Sequence, residues 1–341
     1  MLKRFSVASV FCRLVVCVAV LALTPNLYPQ AAQEPQAPRE DEGPFGTLKA
    51  RVDVVNVFFN VKDKHGALIP NLTKDDFEVF EDGKPQKIKY FSAETEQPLT
   101  LGILIDTSPS QTRVLPMEQE VGAAFLNQVL RKKDLAFLIS FDADVDLLQD
   151  FTNDARELRV ALNRTRIGGG SPQGGISRIP GVGQGPIPAS HDACCTHLYD
   201  AVYLASKDRL GTEVGRKAMI ILTDGEDEGS KVKAREAMEV AQKADAMVYV
   251  LLIADRGMYQ GFGAGEMKKL AEETGGRVIE VGNKLERLKQ AFDQISAELR
   301  TQYTVGYTSN AKHDGAYHKL DVKSKQGYRV QARRGYYALA Q

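Results

Sequence analysis

Residues Leu99–Ser110, LTLGILIDTSPS, combine a buried strand with a cluster of oxygen-bearing side chains, and this stretch decides the fold. Its first half is an almost continuous apolar run, broken by Thr100 and Gly102, which is typical of a strand buried on both faces. The run stops at Asp106, and Ser108 and Ser110 follow at alternate positions. Hard cations such as Mg²⁺ prefer oxygen ligands in near-octahedral geometry. One carboxylate and two hydroxyls from a single loop offer about half of such a shell.

Two later stretches contain further oxygen ligands. Residues 218–225, AMIILTDG, form another buried strand that ends at Asp224, and Thr196 stands just before the helical pattern Leu198–Val202. In an open α/β sheet, ligands bind at the carboxyl ends of the strands. Because Asp106 and Asp224 both stand at such ends, the fold can bring all five groups together.

The three segments DTSPS, CCTHLYDAV and ILTDG together resemble the metal-ion-dependent adhesion site of von Willebrand factor type A domains. They occur in the order of that family, and each falls on a suitable element. The resemblance implies a bound Mg²⁺ or Mn²⁺, held in part through water, by Asp106, Ser108, Ser110, Thr196 and Asp224. The family commonly has Gly where this chain has Pro109, so we expect a stiffer loop here.

From Leu99 to Leu299, strand patterns alternate with helical patterns. Such alternation predicts an α/β fold, with a doubly wound, mostly parallel sheet and helices on both faces. The resemblance to type A domains implies a Rossmann-like sheet of six strands, one of them antiparallel.

Both ends of the chain have a different pattern, with short strands separated by turns such as Asp82-Gly83 and Asp314-Gly315. Neither end buries enough surface to be stable alone. We therefore predict that the two ends build one small β-sandwich and that the α/β domain is inserted in it. The end segments, GYxxxxxxDGxYHKLDV and VQARRGYYA among them, resemble a family of secreted bacterial proteins related to type A domains.

The beginning of the chain has the pattern of an export signal. Lys3 and Arg4 precede the apolar run Leu14–Leu23, which is too short to span a bilayer but suits a signal-peptide core. The expected organisation is a signal peptide at 1–32, a disordered spacer at 33–46, the first part of the β-sandwich at 47–97, a type A domain at 98–300 and the second part of the sandwich at 301–338. This predicts a periplasmic or extracellular protein with no stable membrane span after the signal is removed.

Composition and motifs limit the possible functions. The 44 basic and 44 acidic residues balance, which predicts no nucleic-acid partner. We interpret the chain as a non-enzymatic module that binds a protein ligand, whose acidic side chain fills the open position on the metal, as the resemblance implies. One alternative is a structural envelope protein whose metal only stabilises the fold. Another is a metal-assisted hydrolase with Ser108 or Ser110 as nucleophile, although the chain has no Gly-x-Ser-x-Gly elbow.

Two features next to the predicted site allow more than one interpretation. The Gly- and Pro-rich loop 168–188 is either a floppy insertion or a cover over the metal face. The adjacent Cys194 and Cys195 are either two thiols or a vicinal disulfide.

Overall fold

The computed structural model describes residues 54–93, 97–168, 195–253, 263–311 and 314–338. These ranges all belong to one unit, residues 51–341. The predicted signal peptide and spacer, Cys194 and nearly all of the loop 168–188 lie outside the described residues. Within the described ranges, no helix has the length and apolar character needed to cross a membrane.

The chain begins with strands that belong to two different sheets. These strands are β1 (Val54–Lys62), β2 (Phe77–Glu81), β3 (Lys84–Gln86) and β4 (Tyr90–Ser92). Asp82 and Gly83 both have positive φ and form the tight turn between β2 and β3. The sequence predicts a single strand over Gln86–Phe91. Instead the chain crosses from one sheet to the other there, because Ile88 is buried between them.

A six-stranded sheet follows, flanked by helices. Its elements in chain order are β5 (Leu99–Asp106), α1 (Leu115–Val129), β6 (Leu135–Phe141), β7 (Val145–Thr152), α2 (Ala155–Arg164), α3 (Leu198–Leu204), β8 (Arg216–Thr223), α4 (Ala234–Lys243), β9 (Ala246–Leu252), α5 (Gly263–Thr274), β10 (Arg277–Glu280) and α6 (Leu285–Arg300). The strand order is β10-β9-β8-β5-β6-β7, and every neighbouring pair is parallel except the last. The predicted doubly wound sheet with one antiparallel strand is confirmed.

Strand β5 lies in the middle of this sheet, and all of its residues are buried. Alternate side chains point to opposite faces. Ile103 packs in the cluster that contains Phe125 of α1, whereas Leu104 packs in the cluster that contains Leu198 of α3. Because apolar layers cover both faces, the polar residues that follow the strand lie at its carboxyl end, where the chain is buried as far as Ser108 and exposed at the next two residues.

The remaining strands complete two four-stranded antiparallel sheets with the first ones. They are β11 (Tyr303–Thr308), β12 (Tyr317–Ser324), β13 (Arg329–Ala332) and β14 (Gly335–Tyr337). One sheet has the order β13-β1-β11-β4 and the other β14-β12-β2-β3. A shared core joins them; in it the rings of Phe59 and Phe77 lie 5.0 Å apart. The prediction that both chain ends build one sandwich is confirmed.

The sandwich and the central sheet meet at a buried ion-pair cluster. Glu298 of α6 pairs with Lys62 of β1 at 2.8 Å and with Arg277 of β10 at 2.8 Å. Only 3% of the Glu298 side chain is exposed. Burial raises the pKa of this carboxyl group, but the two cations outweigh that effect and hold the pKa below its ordinary value.

Candidate metal centre

Asp106 and Asp224 lie beside each other because their strands are neighbours in the sheet. Strands β5 and β8 are parallel, and Ile105 pairs with Leu222. The next residue on each strand is therefore also adjacent, and Thr223 Oγ1 donates a 2.7 Å hydrogen bond to Asp106 Oδ2. Asp224 follows directly.

The loop after β5 folds back on its own carboxylate. Ser108 N–H donates a 2.9 Å hydrogen bond to Asp106 Oδ1. A 3₁₀ helix then runs over Pro109–Arg113. Proline suits a first helical position, since its nitrogen has no hydrogen to leave unpaired there. The departure from glycine at Pro109 is thus compatible with the loop that presents Ser108 and Ser110.

A chain of short hydrogen bonds links the serines to the second aspartate. Ser108 Oγ and Ser110 Oγ lie 2.9 Å apart, and Ser110 Oγ donates to Asp224 Oδ2 at 2.6 Å. Asp224 also accepts a 3.2 Å bond at Oδ1 from Glu226 N–H. The structure therefore brings four of the five predicted ligands, Asp106, Ser108, Ser110 and Asp224, into one hydrogen-bonded group.

Thr196, the fifth predicted ligand, is positioned by its backbone. Its N–H and carbonyl bond to Glu228 at 2.9 Å each, in the loop after β8. The next residue, His197, donates its N–H to the carbonyl of Asp142, in the loop after β6. Thr196 thus lies between two loops at the carboxyl edge of the sheet, on the same edge as the other four residues.

The group carries negative charge in a buried place. Asp106 is 0% exposed, and burial raises its pKa to about 7; the charge of Asp224 adds to the rise, while hydrogen bonds from Ser108 and Thr223 oppose it. No lysine, arginine or histidine side chain in the described ranges pairs with Asp106 or Asp224. A divalent cation would supply the missing positive charge.

No protein-family profile matches the chain, and no curated protein does. Similar solved structures include the protein BatB of Bacteroides thetaiotaomicron, with 18% identity, coverage of 59% of this chain and 98% of BatB, and a TM-score of 0.42. Another is proximal thread matrix protein 1 of the mussel byssus, crystallised with zinc in its MIDAS motif (12% identity, 64% of this chain and 49% of that protein, TM-score 0.44). A third is the vWF domain of the type V pilus tip protein Mfa5 of Porphyromonas gingivalis (13% identity, 59% and 94% coverage, TM-score 0.41).

The central sheet has the fold of a von Willebrand factor type A domain. Its six-stranded order, with the single antiparallel edge strand β7, is the one that the resemblance to type A domains implies. The parallel pairing of β5 and β8 accounts for the common edge at which Asp106 and Asp224 meet.

Three polar residues of this type A fold belong to the site but were not predicted from the sequence. Thr223 anchors Asp106, and Gln111 Nε2 donates to Asp224 Oδ2 at 3.0 Å and to Ser110 Oγ at 3.2 Å. Glu118, in the first turn of α1, is 0% exposed. Burial, followed by the charges of Asp106 and Asp224, raises its pKa well above the ordinary value.

For one of these three residues, Glu118, the sequence contains a signal in its helical spacing. Glu118 stands three residues before Val121 and seven before Phe125, so it falls on the apolar face of the helix. The structure also begins α1 at Leu115, earlier than the helix Glu118–Leu130 that the sequence predicts.

The hydrolase alternative receives no support from the described residues. Among them, no histidine side chain bonds to Ser108 or Ser110, whose hydroxyls instead contact each other and Asp224. His197 touches this region through its backbone N–H, and His191 lies outside the described residues.

Proposed function

We propose that this chain is an exported binding module that holds Mg²⁺ or Mn²⁺ through Asp106, Ser108, Ser110, Thr196 and Asp224 and engages a partner protein through that cation. The observation that carries the proposal is the hydrogen-bonded group of two carboxylates and two hydroxyls at the carboxyl edge of the sheet. Carboxylate and hydroxyl oxygens suit a hard cation and not a soft one.

The exposure of the group suggests how a partner would reach the cation. Asp106 and Ser108 are buried, whereas Ser110 is exposed and Asp224 is half-buried. The protein oxygens thus surround the cation from the sheet side and leave the solvent side open. Mg²⁺ usually keeps several waters when it is bound by few carboxylates. An acidic side chain of a partner can replace one of these waters, which would make capture of the partner depend on the cation.

Calorimetric titration of Mg²⁺ and Mn²⁺ tests the cation site. We expect saturable binding to the wild-type protein and none to Asp106→Ala, because the deeply buried charge is lost. The control Glu226→Ala removes an exposed charge next to Asp224 and should bind as the wild type does. Since the cation binds only the folded state, it should also raise the Tm of the wild type and of the control. Equal affinity in wild type and Asp106→Ala would contradict the site.

Partner capture tests the function. Wild-type protein, Asp106→Ala and Glu226→Ala would be incubated with extracellular and envelope fractions of the source organism, with Mg²⁺ or with a chelator. We expect wild type and Glu226→Ala to retain the same protein in Mg²⁺ only, and Asp106→Ala to retain it in neither condition. Capture that survives the chelator would leave the cation with a structural role.

A further inference from the structure

Glu118 is the acidic residue of the site that the five predicted ligands do not include. It is 0% exposed, and neither of its carboxylate oxygens has a hydrogen-bond partner among the described residues. A buried polar group without a partner destabilises the folded protein, and an acidic group does so strongly. Such a group therefore needs an explanation.

The surroundings of Glu118 increase this cost. The charges that raise its pKa are those of Asp106 and Asp224, both negative, and no basic side chain in the described ranges pairs with it. A purely structural role would place an arginine, a lysine or backbone N–H groups against the carboxylate. In the described ranges Glu118 has none of these.

Gln111 provides a second, independent observation at the same place. Its Nε2 is bound to Ser110 and Asp224, so its amide lies in the site. The amide oxygen, Oε1, is buried and has no partner among the described residues. Three buried oxygens, one on Gln111 and two on Glu118, thus accept no hydrogen bond from the described part of the chain, and the charges of Asp106 and Asp224 act on Glu118. These atoms are all of the type that Mg²⁺ and Mn²⁺ bind.

We propose that Glu118 is a further ligand group of the cation site, a third carboxylate that holds the divalent cation in direct contact or through one of its coordinated waters. The inference rests on the proposed function, because it concerns the same cation. It gives helix α1 a role in metal binding, although α1 lies outside the three sequence segments of the predicted site.

Variants of Glu118 separate a ligand from a structural residue. In Glu118→Gln the size of the side chain is kept and the charge is lost. Measured in the presence of a chelator, we expect its Tm to equal or exceed that of the wild type, since burial and the charges of Asp106 and Asp224 disfavour the ionised form of Glu118 and the amide does not ionise. We expect Mn²⁺ affinity, measured by calorimetry on the full-length mature protein, to fall by about 10–100-fold. If Glu118 had only a structural role, its replacement would not combine an unchanged or higher Tm in chelator with a weaker affinity for Mn²⁺.

Glu120→Gln is the matched control, because Glu120 is exposed on the same helix. It should bind Mn²⁺ as the wild type does. Equal Mn²⁺ affinity in wild type and Glu118→Gln would overturn the inference and leave the proposed function standing. Failure of the wild type to bind Mn²⁺ at all would overturn both.

A structure of the wild-type protein with Mn²⁺ tests the same point without a variant. The anomalous signal of Mn²⁺ gives its position relative to the carboxylate of Glu118. Direct contact, or one shared water, would support the inference even if Glu118→Gln does not fold. A greater separation would contradict it.

Discussion

Thr223 and Asp106 are joined by a 2.7 Å hydrogen bond, although they stand 117 positions apart in the chain. The bond crosses from the last residue of β8 to the last residue of β5. Thr223 Oγ1 also accepts a 3.0 Å bond from Gly225 N–H, at a residue whose φ of 90° favours glycine. One hydroxyl therefore fixes both the orientation of the buried carboxylate and the turn that presents Asp224.

Removal of this hydroxyl should weaken the cation site. In Thr223→Val, Asp106 loses the donor to its Oδ2, so the carboxylate is less well oriented and its pKa rises further. We expect Mg²⁺ affinity to fall by about 10–100-fold, the usual effect of losing a group that orients a ligand. Thr223→Ser keeps the hydroxyl and should bind as the wild type does. Calorimetry that finds the Val and Ser variants equal would show that the hydrogen bond does not support the site.

The pKa of Asp106 predicts how stability depends on pH without the cation. Folding raises this pKa from 3.8 to about 7. Between these two pH values the folded state thus holds a proton that the unfolded state has released. The contribution of Asp106 to the free energy of unfolding is therefore fully present below pH 3.8 and is lost as the pH rises through about 7. Between pH ~5 and pH ~8 this loss amounts to about 3 kcal/mol, at 1.36 kcal/mol per pKa unit.

Asp106→Asn tests this dependence because its amide does not titrate. In chelator, denaturant unfolding should show a smaller decrease in stability between the two pH values for Asp106→Asn than for the wild type. Parallel decreases in the two proteins would mean that Asp106 does not carry the raised pKa. Saturating Mg²⁺ should reduce the loss of stability that the wild type shows between the two pH values, because the cation keeps Asp106 ionised in the folded state.

The buried ion-pair cluster between the sandwich and the central sheet predicts a large loss of stability when its carboxylate, Glu298, is removed. Glu298→Ala leaves Lys62 and Arg277 without their carboxylate, and the Lys62 side chain is only 12% exposed. Loss of one partner of a buried pair leaves an uncompensated charge, so we expect a loss of about 3 kcal/mol. Glu286→Ala, on the same helix, removes a carboxylate that is 77% exposed and lies 3.5 Å from Lys289. Its effect on denaturant unfolding should stay within about 1 kcal/mol.

The part of the site that the sequence reveals follows from one geometric rule. Apolar runs that end at Asp106 and at Asp224 indicate buried parallel strands, and the carboxyl ends of parallel strands share one edge of the sheet. The pairing of both chain ends in one sandwich is also predictable, because neither end buries enough surface alone.

The features that the sequence does not reveal depend on tertiary packing. Glu118 falls on the apolar face of α1 by its spacing, yet an acidic residue near a helix start is ordinarily solvated. Its burial depends on how α1 packs against the edge of the sheet, which a periodic pattern does not specify. The sequence does not reveal, for a similar reason, that the chain crosses between the two sandwich sheets at Ile88. The alternation typical of a strand continues through this residue, although it lies between the sheets.

The kind of contacts between the sandwich and the central sheet indicates where the chain can be divided into domains. Besides the Glu298 cluster, Arg333 of the sandwich segment pairs with Asp245 at 2.7 Å, and Gln331 Nε2 donates to the carbonyl of Gly275 at 3.1 Å. These contacts are polar, whereas each part has an apolar core of its own. Separation of the parts should therefore expose groups that water can solvate.

We expect the fragment of residues 98–300 to fold alone and to retain its affinity for Mg²⁺, because both faces of its sheet stay covered by its own helices. The fragment of residues 47–97 should not fold, since β1 and β2 lose β11, β13 and β12 as hydrogen-bonding neighbours. Unpaired strands with a half-covered core are unstable in water. Circular dichroism and thermal unfolding of each fragment check this. A cooperative transition in the monomeric fragment 47–97 would contradict a sandwich that needs both chain ends.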